Sequence, residues 1–103
     1  MINDILDAAA IPNWPARCPA PPPGTYAIYF DGITTDGPDG INRIFFHDAM
    51  VELYEPTQAD AAEAELEAEL NTRGLRWTKQ ARYWIASIQR YQTIYEFSYI
   101  VKT

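Results

Sequence analysis

One cysteine, Cys18, one histidine, His47, and eight lysines and arginines in 103 residues limit the chemistry open to this chain. A lone cysteine excludes an internal disulfide and a cysteine-based zinc cage. No apolar run approaches the ~18–20 residues that a bilayer crossing needs, so no membrane contact is expected. The N-terminus lacks a basic segment followed by an apolar run, so the chain reads as one made and kept in a cytoplasm. No glycine loop for phosphate, cluster of metal ligands or nucleophile elbow is found. His47 falls on an apolar strand face between Phe45 and Ala49, as a core or rim histidine would, with no nucleophile and orienting partner beside it. Cys18 has only Arg17 to depress its pKa, which is weak support for a reactive thiol. Asp48 and Glu52 share a strand face and form the one carboxylate pair to weigh for acid–base work. On these grounds no enzymatic activity, catalytic residue, cofactor or metal is expected.

Charge is plentiful but unevenly placed. The net charge is −6, which argues against a surface that grips nucleic acid throughout. Residues 48–72 carry eight acids and no base, whereas residues 73–103 carry six bases (Arg73, Arg76, Lys79, Arg82, Arg90, Lys102) against Glu96 alone. Blocks of opposite sign either pair inside one subunit or meet head to tail between subunits.

Hydrophobic content of 48% and aromatic content of 14% supply the core of a single domain. Ile2, Ile5, Leu6, Ala9 and Ala10 follow helical spacing and predict an N-terminal helix over 1–11. Six of the eight prolines fall in residues 12–23, so 12–24 reads as a stiff arm anchored by Trp14. The α+β core then spans 25–103. Residues 25–31 alternate as a strand, and 31–40 read as a mobile loop with three Asp-Gly pairs. From about Arg43 to Glu55, Phe45, His47, Ala49, Val51 and Leu53 take one face and Ile44, Phe46, Asp48, Met50, Glu52 and Tyr54 the other. Thr57 and Asp60 are placed to open a helix that ends at Thr72, with Gly74 suited to the left-handed turn after it. Ala59, Ala62, Leu66 and Leu70 form its apolar stripe, and its glutamates, Glu63 included, form a solvated face. Residues 75–79 predict a short strand and 81–90 an irregular turn.

Residues 91–103 alternate most regularly. Tyr91, Tyr95, Phe97, Tyr99 and Val101 lie on one side, with Gln92, Ile94, Glu96, Ser98, Ile100 and Lys102 on the other. Tyr95, Phe97 and Tyr99 of the first set are expected to pack with Val51, Leu53, Leu66 and Leu70. Asp48, Met50, Glu52, Ile94, Glu96 and Ile100 are too polar for a core yet keep apolar area suited to a subunit contact, which the loop residues Thr34, Thr35 and Asp36 would extend. The expected fold is α+β, a mainly antiparallel sheet of about four strands with one long helix on one face and a short N-terminal helix.

The string from His47 to Tyr54 (HDAMVELY), an acidic helix, residues 74–79 (GLRWTK) and residues 91–97 (YQTIYEF) together resemble the small tail-terminator or tail-completion proteins of long-tailed bacteriophages. The likeness covers about residues 24–103. It implies a structural virion protein, assembled in the host cytoplasm, that caps the tail tube as a homo-oligomeric ring, commonly a hexamer. Its partners would be the tail-tube protein and the head-closure or connector protein, without direct nucleic-acid recognition. Alternatives are a head-closure protein, or a small acidic inhibitor imitating DNA charge against a host nucleic-acid enzyme.

Overall fold

The computed structural model describes residues 1–36, 44–58 and 61–102. In chain order the elements are α1 (Ile2–Ala8), β1 (Asn13–Pro15), β2 (Tyr26–Asp36), β3 (Ile44–Glu55), α2 (Ala61–Thr72), β4 (Trp77–Lys79), β5 (Tyr83–Ile85) and β6 (Arg90–Lys102). All strands join one sheet in the order β1-β2-β3-β6-β4, with β5 also on β6. Pairing is antiparallel except for β1, which lies parallel to β2.

The fold is α+β as expected, but six strands replace the four, and the helix over 61–72 is short rather than long. The additional strands are three-residue pieces, too brief for alternation to show in sequence. One of them, β1, lies in the supposed arm, and β5 lies where an irregular turn was expected. The strand read over 25–31 continues to Asp36, and 37–43, with the rest of the expected loop, lie outside the described residues. Ala59 and Asp60 of the predicted helix start also lie outside them, while Thr57 is exposed in the bend before the helix.

One face of the sheet carries the core. Leu66 and Leu70 of α2 and Ile2, Ile5 and Leu6 of α1 cluster with Ala27, Ala49, Val51, Leu53, Tyr95, Phe97 and Tyr99. The packing expected of Tyr95, Phe97 and Tyr99 is therefore present. Both helices end alike: Ile11 N–H bonds Leu6 O and Ala10 N–H bonds Asp7 O, while Leu75 N–H bonds Leu70 O and Gly74 N–H bonds Asn71 O. This is the paired-bond closure that needs a left-handed residue, supplied by Gly74 at φ 69° and, less comfortably, by Ala10 at φ 58°.

Element lengths shape the molecule. At 1.5 Å per residue the twelve residues of α2 cover about 18 Å, whereas at ~3.3 Å the twelve of β3 run to about 40 Å. The helices therefore cannot roof the whole sheet. The far ends of β2, β3 and β6 project as a three-stranded arm, and the molecule measures 51 × 28 × 22 Å. Among the described residues no helix is long and apolar enough to cross a membrane.

Candidate interaction surface

The strand register sets which side chains stand together. Rows Ile28–Glu52–Ile94, Phe30–Met50–Glu96, Gly32–Asp48–Ser98, Thr34–Phe46–Ile100 and Asp36–Ile44–Lys102 cross β2, β3 and β6 on the face away from the core. All but one of the nine residues anticipated as an interface, Asp48, Met50, Glu52, Ile94, Glu96, Ile100, Thr34 and Asp36, thus share one face. Thr35 lies on the opposite face, in the row Thr35–Phe45–Val101.

Apolar groups stand exposed along the arm on both faces: Phe46 and Ile100 (57% exposed) on the open face, Ile33 (57%) and Val101 on the other. Sequence reading passed over Phe30, Phe46, Ile33 and Val101. Phe46 was legible, since it alternates in step with Asp48 and Met50. Phe30 was not, because Tyr26, Ile28 and Phe30 are bulkier than Ala27 and Tyr29 and resemble a core set. A groove of ≈ 730 Å³ borders the same face, lined by Asp48, Met50, Glu96 and Ser98 together with Arg76 and Thr78.

The acids of the open face differ in their engagement. Ser98 Oγ donates to Asp48 Oδ1 at 2.9 Å. Gln92 Nε2 donates to the Tyr54 hydroxyl at 2.9 Å, which donates to Glu52 Oε1 at 3.0 Å. Burial, first, and the neighbouring Glu52 charge push the Tyr54 pKa up to about 12. Glu96 is exposed. Asp48 and Glu52, four strand residues apart, are separated by about 13 Å, beyond the ~5–9.5 Å of paired catalytic carboxylates.

His47 sits at the root of the arm. Its Nδ1 lies 2.9 and 3.0 Å from the Asp31 oxygens, its ring stacks on Tyr99 at 4.4 Å, and the Tyr99 hydroxyl donates to Asp31 at 3.3 Å. One residue from each long strand is thereby tied together. Burial and the Asp31 carboxylate raise the Tyr99 pKa to about 12.

The segregated charges meet within the subunit. Glu63, expected in solvent, is 2% exposed and pairs with Arg82 and with Lys79 at 3.4 Å, while Thr93 Oγ1 donates to it at 3.2 Å. Lys79 also reaches Glu67 at 3.0 Å, and Arg73 reaches Glu69 at 3.7 Å. Burial opposes the Lys79 charge, but the Glu67 hydrogen bond and the Glu63 carboxylate outweigh it and raise its pKa. Glu63 precedes Leu66 by three residues and Leu70 by seven, so helical spacing places it on the sheet-facing side. At the proline arm, Arg90 Nη2 donates to the carbonyls of Pro22 at 3.2 Å and Pro23 at 3.0 Å, and Trp14 meets Tyr26 edge-on at 6.4 Å.

Compared with known proteins, the chain matches no family model and no curated protein.

Proposed function

We propose that this chain is a structural phage protein that caps the tail tube as a homo-oligomeric ring and presents the surface on which the head docks. The observation that carries the reading is the row structure of the uncovered face. Ile28, Phe30, Phe46, Ile94 and Ile100 are interleaved with Asp48, Glu52 and Glu96, and among the described residues no helix covers them. Apolar groups with a polar frame are what a contact surface between proteins needs. The sequence resemblance supplies the tail-end location and the partners, a tube protein on one side and a connector on the other.

Mimicry of DNA charge is less well supported. Glu63, Glu67 and Glu69 of α2 are engaged by Lys79, Arg82 and Arg73, so the acidic helix is largely neutralised from within. Light scattering with electron microscopy, with and without isolated tail tubes, tests the proposal. Closed rings, free or on tube ends, are the expected result. A protein that stays monomeric at high concentration and leaves tubes uncapped overturns it.

A further inference from the structure

We propose that neighbouring copies of this chain join edge to edge through the arm, with β6 of one copy lying parallel to β2 of the next and continuing its sheet. The inference rests on the self-association in the proposed function but names a different contact from the open face.

The arm has two open edges. β1 pairs with β2 only as far as Tyr29, and β4 pairs with β6 only as far as Phe97. Beyond these points, among the described residues, no strand pairs with the outer side of 30–35 or of 98–102. Alternation shows which backbone groups point outward. Ala27 N–H bonds Pro12 O and Tyr29 O accepts from Ala16 N–H, so the odd residues of β2 face away from β3. Ile94 O accepts from Gln80 N–H, so the even residues of β6 do the same. The N–H and C=O of Asp31, Ile33 and Thr35 on one edge, and of Ser98, Ile100 and Lys102 on the other, are therefore presented laterally. Long edges of this kind are usually blunted by proline, bulges or covering loops. The register here runs without a bulge, and no proline falls in 30–36 or 98–102.

Direction and charge select the partner edge. β2 and β6 are both antiparallel to β3, so they run the same way, and a rotated copy brings its β2 beside β6 in parallel. Asp36 and Lys102 both pair with Ile44, so at equal level the Lys102 of one copy stands beside Asp36 of the next. The same arrangement sets exposed Ile100 beside Thr34 and exposed Val101 beside Thr35. A two-fold pairing of β2 with itself would use one of the two open edges and leave that of β6 unpaired. A head-to-tail contact repeats from copy to copy, as a ring requires, whereas the two-fold contact stops at a dimer.

The test uses two variants of the whole protein, each in a Cys18→Ser background, one with Thr34→Cys and one with Ile100→Cys. Within one copy these positions are separated by β3, about 9.6 Å across two strand spacings, too far for a disulfide. Oxidation of the mixture should give a disulfide-linked dimer that neither variant gives alone. Adding Ile33→Pro to the first variant should abolish the link while the monomer stays folded by circular dichroism, since that N–H points away from β3. Links formed by either variant alone, or rings by microscopy that never cross-link in the mixture, overturn the edge contact and leave the ring proposal standing. Absence of rings under every condition overturns both.

Discussion

The Tyr95 hydroxyl donates to Glu67 Oε2 across 2.7 Å, joining the middle of β6 to α2. Tyr95 is fully buried, and burial together with that carboxylate raises its pKa far above the ordinary tyrosine value. Tyr54 and Tyr99 shift the same way, each to about 12, and the Lys79 pKa is raised as well. In each case the folded protein holds its proton more tightly than the unfolded chain. The resulting stability is complete below the unfolded value and is lost as pH rises through the folded one. Melting temperature should therefore fall steeply between about pH 10 and 12, in parallel with tyrosinate absorbance. Tyr54→Phe should make that fall shallower. A melting temperature flat over this range would contradict the burial of these hydroxyls.

Arg82→Ala leaves the buried Glu63 carboxylate with Lys79 as its remaining ion-pair partner. Breaking such a pair costs up to ~3–5 kcal/mol, whereas replacing both members by apolar residues is often neutral. Urea denaturation should show Arg82→Ala to be much less stable and Glu63→Leu with Arg82→Leu to be close to the parent.

Phe97 and Ile100 lie three residues apart on β6 but on opposite faces, 5% and 57% exposed. Phe97→Ala should cost ~3–5 kcal/mol through lost burial and the cavity left behind. Ile100→Ala should fall within ~0.5 kcal/mol in the monomer. An inverted order in thermal melts would mean that the helices cover the other face.

The two helix ends allow a matched comparison. Gly74→Ala places a Cβ at φ 69° and should destabilise by about 1 kcal/mol, while Ala10→Gly at φ 58° relieves the same strain and should stabilise by up to that amount. Chemical denaturation of both variants against the parent measures the signs.

Charge reversal distinguishes folding from assembly on the open face. Glu96→Lys should leave the monomer melt unchanged within ~0.5 kcal/mol and weaken ring formation by light scattering. Glu52→Lys should also lower monomer stability, because Glu52 accepts from Tyr54 at the end of the Gln92 chain.

Local pattern alone settled much of this molecule. Period-two alternation fixed the face partition of β3 and β6, helical spacing placed Leu66 and Leu70 together, and Gly74 marked the end of α2, because each depends on neighbours along the chain. Tertiary structure decided the rest. Alternation says which side chains share a face but not which face the helices will cover, so Tyr26, Ile28 and Phe30 took the face away from the helices and smaller Ala27 the face toward them. Strands of three residues form only because a long neighbour offers a ladder, which is why β1 and β5 leave no period to read, although the short strand at β4 was expected. Glu63 could be buried only after folding brought Lys79 and Arg82 to it. The arm exists because strands extend more than twice as far per residue as helices, so a sheet this long outruns the two short helices that roof it.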